Sequence, residues 1–272
     1  MRLSVLLPGS LVSDAPGLLQ KTVKVGWVGR TLAVFRVNRV IVYGDSHTRS
    51  KEDLDLICTL LQYMETPQYL RKLLFPSLPL LRYAGTLPPL RTPHHPLRGE
   101  REEVGDMREA VVVKVEKEGS ILELGMSQKG YLPEKAKVGE RMTVRLVEKK
   151  KDRIIVSRSS PSEYWGFRVE KRADLREALE AVKGDLRVGT SRYGKPLSEV
   201  QSRLVEEARK RGGMAVAFGG PYAGLFEVCS AQSLDPSCFD FMVNTIPQQG
   251  TSTVRTEEAL SATLAIFNVL LS

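Results

Sequence analysis

The spacing of apolar residues changes twice along this chain of 272 residues. Residues 25–35 carry apolar side chains at helical spacing, and a β-branched strand pattern follows at residues 39–43. This alternation of strand and helix resumes after Trp165 and is typical of a parallel sheet covered by helices. The sequence therefore predicts an α/β fold with a Rossmann-like parallel sheet, formed by two separate segments, residues 1–90 and 165–272.

The intervening segment first becomes rich in proline and then changes to a period of two. Six prolines between residues 76 and 96 prevent a regular element there. From residue 108 onward, apolar and polar residues alternate in short runs, with hairpin signals at residues 117–119 and 149–152. Short strands at roughly ten-residue spacing predict a small β-barrel of the OB kind. We therefore expect an inserted domain at residues 91–164.

Charge and cysteine content restrict the function further. The net charge of +8 is carried by the first 165 residues, because residues 166–272 contain equal numbers of basic and acidic side chains. A polyanion such as RNA would be drawn to the basic part, although basic surfaces also occur on proteins that bind no anion. The three cysteines fit no metal-ligand spacing, which predicts a reducing, cytoplasmic location and no metal site. No apolar run reaches the roughly 18 residues that span a bilayer, so we expect no membrane association.

Two glycine-rich loops follow the last two predicted strands of the α/β segments, at residues 218–224 and 244–256. Ligands of open α/β sheets bind beyond the carboxyl ends of the strands, so a cofactor is expected at these loops. Glycine permits close approach of the backbone, and exposed amides and carbonyls can read the edge of an adenine. Either loop alone could also be only a tight connection. No G-x-G-x-x-G follows the first strand, which argues against a dinucleotide-dependent oxidoreductase.

The second loop, together with Gly219-Gly220-Pro221, resembles the cofactor-binding loops of the SPOUT superfamily, the knotted α/β methyltransferases of RNA. Residues 7–10, 70–76, 81–85 and 92–96 resemble one archaeal and eukaryotic branch with an inserted OB-like domain. The resemblance covers nearly the whole chain and implies a C-terminal trefoil knot, S-adenosylmethionine as cofactor, and a structured rRNA or tRNA as substrate. The residues that it implies in cofactor binding are Phe218, Gly219, Gly220, Thr245, Ile246, Gln249, Gly250, Thr253 and Val254.

The same resemblance implies a catalytic arginine in the first helix. Relatives that methylate the ribose 2′-O carry a pattern similar to N-x-G-A-x-x-R, of which this chain keeps Gly26 and Arg30. Lys24 stands where the asparagine would be, so the methylated atom is predicted to be either a base nitrogen, such as uridine N3, or the ribose 2′-O. Arg30 as an ordinary surface arginine is the alternative. A non-catalytic RNA-binding adaptor that retains the fold is the second functional hypothesis.

Two clusters are candidates for RNA contact. Basic side chains occupy the last predicted hairpin of the insert, and two adjacent histidines lie in the proline-rich junction. These predicted RNA-binding residues are Lys149, Lys150, Lys151, Arg153, His94 and His95. The alternatives are a merely solvated lysine run and a structural role for the histidines. Tyr131 is the insert's only internal aromatic residue, which favours recognition of RNA backbone or shape over base stacking.

The last predicted helix is apolar on more than one face. Thr256 is expected to cap it, and Glu257 and Glu258 occupy the first turn, where the helix dipole favours carboxylates. A helix of this composition is buried on more than one side. The SPOUT resemblance implies a homodimer that packs through this helix, with each active site completed by the partner chain.

Overall fold

The computed structural model describes residues 1–46, 51–97 and 99–272. The chain divides into two compact units. The first contains residues 1–62, 80–88 and 167–272, and the second contains residues 63–79 and 89–166. The second unit therefore includes residues 63–79, which the sequence placed in the α/β segments. That residues 91–164 form an autonomous domain stays a prediction.

The first unit holds six strands and most of the helices. Its strands are β1 (Arg2–Pro8), β2 (Arg39–Tyr43), β8 (Arg168–Arg172), β9 (Leu186–Pro196), β10 (Gly213–Ala217) and β11 (Phe241–Asn244). Its helices are α1 (Leu18–Val34), most of α2 (Lys51–Glu65), α4 (Leu175–Glu180), α5 (Leu197–Arg211), α6 (Leu225–Ala231) and α7 (Thr256–Leu271). The second unit contains α3 (Gln68–Leu74), β3 (Met107–Val115), β4 (Ser120–Glu123), β5 (Gly130–Leu132), β6 (Arg141–Lys149) and β7 (Ile154–Arg158).

The six strands form one parallel sheet in the order β11-β9-β10-β1-β2-β8. Alternate residues of a strand point to the same face of a sheet. Leu6, Ile41 and Ala215 on one face pack with Leu175 of α4 and Val228 of α6 in a buried apolar cluster. The predicted α/β class with a parallel sheet is confirmed.

The strands of the second unit form a closed barrel in the order β3-β4-β5-β7-β6. Its interior is filled by residues two apart in each strand, which is the period-two pattern of the sequence. These buried residues include Ala110, Val112, Leu122, Leu124, Val144, Leu146, Ile154 and Val156. The prediction of a small β-barrel is confirmed, and the barrel has five strands.

Two helix ends illustrate local sequence control. α5 carries Arg209, Lys210 and Arg211 in its last turn, and Gly212 follows in the left-handed conformation with φ of 66°. The prediction for Thr256 was wrong, because Thr256 is the first residue of α7 rather than its cap. Glu258 instead accepts a hydrogen bond from the backbone N–H of Arg255 (2.9 Å).

Among the described residues, no helix combines the length and the apolar character that crossing a membrane requires.

Candidate active site

A cavity of about 220 Å³ lies in the first unit, beyond the carboxyl ends of β10 and β11. All the predicted cofactor residues line it except Gly250. The two glycine-rich loops, residues 218–224 and 244–256, therefore meet at one site. Further lining residues that sequence reasoning did not select are Thr190, Ser191, Arg192, Tyr193, Tyr222 and Glu227.

A buried tyrosine of β2 anchors the first glycine-rich loop, residues 218–224. The Tyr43 hydroxyl donates a hydrogen bond to the carbonyl oxygen of Phe218 (2.7 Å). Burial raises the pKa of Tyr43, and the nearby charge of Asp45 raises it further, so the hydroxyl remains a donor. Within the loop, the Gly220 N–H donates to the carbonyl oxygen of Ala223 (2.8 Å). This network fixes which backbone atoms face the cavity.

Gly219 owes its identity to close packing of the loop on itself. A Cβ atom at Gly219 would lie 2.7 Å from the Cα of Gly224 and 2.9 Å from the carbonyl oxygen of Ala223. Contacts this short are not tolerated by backbone atoms. At Gly250, by contrast, a Cβ atom would meet nothing within 4 Å. The sequence could not distinguish these two glycines, although the structure gives only the first a packing role.

The second loop is anchored by three hydroxyl groups. The buried hydroxyls of Thr245 and Thr263 lie 2.7 Å apart, which joins the loop to α7. The Thr256 hydroxyl donates to the carbonyl oxygen of Gly219 (2.9 Å), which joins the end of the second loop to the first. The walls of the cavity are therefore tied to each other and not only to the sheet.

A third wall comes from an interruption in β9. The pairing of β9 with β11 passes from Gly189 opposite Met242 directly to Lys195 opposite Val243. Residues 190–194 have no partner in β11, and the first four of them line the cavity. The sequence analysis did not predict this segment of residues 190–194, which is here called the β9 excursion.

The β9 excursion is pinned to both neighbouring strands. The Thr190 hydroxyl donates to the carbonyl oxygen of Ala217 (2.9 Å), and the Asn244 side chain donates to the carbonyl oxygen of Arg192 (3.1 Å). The Arg192 guanidinium donates to the carbonyl oxygen of Ser252 in the second loop (2.7 Å). Arg192 and Glu227 are the charged residues among those that line the cavity.

The predicted catalytic residue lies elsewhere in the chain. Arg30 is half-buried on α1 and does not line the cavity. Lys24, six residues earlier, is buried, and its Nζ lies 2.7 and 2.8 Å from the carboxylate oxygens of Asp14. Glu257 Oε2 lies 3.1 Å from the same Nζ, an ion pair outside hydrogen-bond geometry. The lysine that replaces the expected asparagine thus joins α1 to the start of α7.

The predicted RNA-binding lysines are exposed on the hairpin between β6 and β7. Lys149 pairs with Glu103 (3.1 Å), and Lys150 with Glu148 (3.6 Å). The Arg153 guanidinium covers the ring of Tyr131, 5.2 Å from its centroid. Exposed ion pairs of this kind contribute little to stability and can exchange for other anions.

The two predicted histidines are tied into the second unit. The Nε2 atoms of His94 and His95 both lie 2.7 Å from the carbonyl oxygen of Glu65, which can only accept, so each Nε2 carries the proton. His94 is fully buried, whereas His95 is partly exposed. The Glu65 carboxylate in turn binds Arg141 (2.6 and 3.0 Å). This burial favours the structural alternative for His94.

Sequence reasoning did not identify Glu109, which completes that network. Glu109 accepts hydrogen bonds from Arg141 (2.6 Å), Thr143 and the Trp165 indole (2.8 Å). Burial raises the pKa of Glu109, but the charge of Arg141 and these donors outweigh it and hold the pKa below its ordinary value. The network stabilises the second unit, and no group of three or more potential metal ligands occurs among the described residues.

The fold and the cavity define a class: an open parallel α/β protein with a cavity beyond the carboxyl ends of the strands, where proteins of this class bind their ligands. The chain matches the model of the family described as "Putative RNA methyltransferase" over residues 2–267. It is 38% and 36% identical to uncharacterized proteins of Halobacterium salinarum and Haloarcula marismortui, over 97% of this chain and 98% of each relative. It is 33% identical to the 28S rRNA (uridine-N(3))-methyltransferase of Mus musculus, over 97% of this chain and 75% of the mouse protein.

The chain therefore belongs to this family and is an RNA methyltransferase. Membership favours the enzyme over the non-catalytic adaptor. A solved structure of an uncharacterized protein from Methanocaldococcus jannaschii matches 22% of this chain and 96% of its own at 25% identity, and its TM-score of 0.20 is too low to indicate a shared fold.

Proposed function

We propose that this protein transfers a methyl group from S-adenosylmethionine to N3 of a uridine in large-subunit rRNA. The observation that carries the proposal is the cavity where both predicted cofactor loops meet. The choice of N3 over the ribose 2′-O rests on relatives from mouse and human, both named 28S rRNA (uridine-N(3))-methyltransferases, at 33% and 32% identity. Lys24 at the position of the expected asparagine agrees with that choice.

The residues of the cavity fit adenosylmethionine. Glycines at residues 219, 220 and 224 leave backbone atoms accessible, as the edge of an adenine requires. Glu227 supplies a carboxylate at the wall of the cavity, and the cofactor carries positive charge on its sulfonium and amino groups. When bound, adenosylmethionine supplies an electrophilic methyl group. The chain must then orient the uridine and assist loss of the N3 proton.

Arg30 is the proposed catalytic residue. A guanidinium beside a uracil carbonyl stabilises negative charge that develops on the ring when N3 loses its proton. Arg30 does not line the cavity of its own chain, so we propose that it acts on the uridine at the partner's cavity in a homodimer. α7 supports this assembly, because the apolar side chain of Val269 is 73% exposed in the mostly apolar second half of the helix.

The SPOUT resemblance further leads us to propose a C-terminal trefoil knot and an OB-fold barrel that binds RNA. The order β3-β4-β5-β7-β6, with β5 parallel to β7, supports the OB assignment. OB folds bind oligonucleotides on their second and third strands and at the loops after the first and fourth strands. The basic hairpin of Lys149, Lys150, Lys151 and Arg153 is the latter loop. Free thiols at Cys58, Cys229 and Cys238 support a reducing, cytoplasmic location.

Mass spectrometry of nucleosides tests the reaction. The purified protein is incubated with adenosylmethionine and an unmodified transcript of large-subunit rRNA, which is then digested to nucleosides. We expect 3-methyluridine. Formation of 2′-O-methyluridine would overturn the N3 assignment, and no methylated nucleoside would overturn the proposed substrate.

Calorimetry tests the cofactor separately. Ala259 is half-buried at the cavity wall in the first turn of α7. Ala259→Phe fills the cavity from that wall and is expected to abolish the heat of adenosylmethionine binding that the wild-type protein gives. Absence of heat from the wild-type protein would reject the cofactor.

A further inference from the structure

The β9 excursion presents an exposed aromatic ring at the cavity that the predicted site did not include. Tyr193 lines the cavity and is 64% exposed. Its own N–H donates to the Ser191 hydroxyl (3.2 Å), and the neighbouring residue Arg192 is bonded to the second loop. An exposed ring on a backbone held at this many points is placed for contact with a ligand rather than for packing.

One face of the Tyr193 ring is covered by a neighbouring side chain. The Arg192 guanidinium lies over it, 4.7 Å from the centroid. A guanidinium stacked on an aromatic ring restricts the rotation of both side chains and adds positive charge to the ring's surroundings. One face of Tyr193 is therefore covered by the chain itself, and the ring is held ready to stack on a flat partner with its other face.

The backbone of the β9 excursion requires glycine at its start and at its end, where it leaves and rejoins β11. A Cβ atom at Gly189 would lie 2.7 Å from the Met242 sulfur, and one at Gly194 would lie 2.6 Å from the Val243 carbonyl carbon. These glycines let β9 leave and rejoin β11 within van der Waals contact. The five unpaired residues 190–194, which include Gly194, together with the preceding Gly189, therefore hold Arg192 and Tyr193 at the cavity.

We propose that Tyr193 is the platform on which the target uracil stacks while its N3 faces the methyl group, and that Arg192 fixes this platform. The inference rests on the proposed function, since it assigns the substrate base to the same cavity. A base that is methylated on its pairing edge must leave its helix, and aromatic side chains replace the stacking that it loses. Tyr222 is also exposed at the cavity, but we do not assign it this role. It belongs to the first glycine-rich loop, and its hydroxyl donates a hydrogen bond to the Ser13 carbonyl oxygen (3.4 Å).

The test compares three variants in methylation of the rRNA transcript. Tyr193→Ala is expected to lower kcat/KM by about 10- to 100-fold, the range that loss of one base–aromatic stack produces. Tyr193→Phe keeps the ring and should remain within about threefold of wild type, whereas Tyr193→Leu, which keeps bulk without a π face, should resemble alanine. All three should bind adenosylmethionine by calorimetry with a Kd within about twofold of wild type and keep its Tm.

Three other results would overturn the proposed role of Tyr193. Weaker adenosylmethionine binding by Tyr193→Ala would assign the ring to the cofactor's adenine and overturn the inference. Equal kcat/KM for alanine and wild type would overturn it as well. A wild-type protein that binds adenosylmethionine but methylates no uridine would remove the proposed substrate, and the inference with it.

Photocrosslinking supplies an independent readout. A transcript containing 4-thiouridine is irradiated in complex with wild-type protein, and the crosslinked peptides are sequenced by mass spectrometry. We expect a crosslink within residues 190–194. Crosslinks confined to the barrel would contradict the placement of the target base.

Discussion

The Thr256 hydroxyl donates a hydrogen bond to the carbonyl oxygen of Gly219, 2.9 Å away, across 37 residues of sequence. Thr256 begins α7, and Gly219 is in the first glycine-rich loop. Thr256 is 5% exposed, so water does not replace this bond when it is lost. This buried hydrogen bond thus joins the two loops that line the cavity.

Thr256→Val tests that contact, because valine keeps the shape of threonine but removes the donor. The Gly219 carbonyl would lose a buried partner, at a cost of roughly 1–3 kcal/mol in the free energy of unfolding. Adenosylmethionine affinity should fall by severalfold, because the loops separate. Thr251→Val is the matched control, since the Thr251 hydroxyl makes an exposed bond to the Thr253 carbonyl (2.9 Å). Equal effects of the two variants on affinity would contradict the role of Thr256.

Arg30→Ala tests the proposed catalytic residue. Turnover should fall by roughly 100-fold, the scale of acid–base and positioning groups, with little change in Tm or cofactor affinity. Arg30→Lys keeps the charge but loses the planar fork, so a partial loss would point to geometry. Arg209→Ala removes an exposed arginine of α5 and should leave turnover unchanged. A lower Tm with intact turnover of the folded fraction would make Arg30 structural.

Much of the fold could be predicted from patterns among residues that are close in sequence. The first loop is predictable because a buried strand ends at Ala217 and glycines follow at once. The barrel is predictable because its interior residues keep a strict period of two, as in Val144 and Leu146. Both features are written in neighbouring residues.

The parts that sequence reasoning missed depend on distant residues. The β9 excursion exists because Gly189 and Gly194 approach Met242 and Val243, some fifty residues later. No pattern within residues 186–196 reveals that approach. Asn38 is a similar case, since its side chain accepts a hydrogen bond from the N–H of Leu3 (2.8 Å), 35 residues earlier.

The ion pairs of Lys24 with Asp14 and Glu257 also join residues that are distant in sequence, and they predict an effect on stability. Lys24→Met would leave Asp14 and Glu257 without their shared cation in a partly buried site. Breaking one partner from such a pair should lower the free energy of unfolding by roughly 2 kcal/mol or more. Lys183→Met is the matched control, because the ion pair of Lys183 with Glu180 is exposed and worth less than about 1 kcal/mol. Urea unfolding of both variants measures the difference, and equal losses would contradict it.

His95 predicts how the stability of the protein varies with pH. Burial, together with the neighbouring His94, lowers the pKa of His95 to about 3. The ordinary value of 6.5 applies to the unfolded chain, so below it only the unfolded state binds the proton. This part of the stability is present above pH 6.5 and is lost as pH falls toward 3.

Urea unfolding of wild type and His95→Gln at pH 7 and pH 5.5 measures this contribution. Wild type should lose about 1 kcal/mol more than the variant over that interval. Glutamine keeps a donor for the Glu65 carbonyl. The interval avoids titration of Glu109, whose lowered pKa withdraws its own contribution only below about pH 4.5. Parallel losses in the two proteins would contradict the prediction.

The basic hairpin of the barrel predicts a change in the salt dependence of RNA binding. The variant with Lys149, Lys150 and Lys151 all changed to Glu removes up to three phosphate contacts. Each contact releases counterions and contributes about 0.7–0.9 to the slope of log K against log salt, so the slope should flatten by about 2 to 3. The ion pairs of Lys149 and Lys150 with Glu103 and Glu148 are exposed and should not oppose exchange for phosphate.

The control for the hairpin changes three exposed basic residues of the first unit to Glu: Lys183, Arg209 and Lys210. It alters net charge equally but touches no predicted RNA contact. Filter binding of the rRNA transcript at increasing salt should give the control a slope close to that of wild type. Equal flattening in both triple variants would show that the long-range field of the protein, rather than the hairpin, sets the slope. An unchanged slope in the hairpin variant would mean that these lysines are solvated in the complex, and the RNA-binding surface would then have to lie elsewhere on the protein.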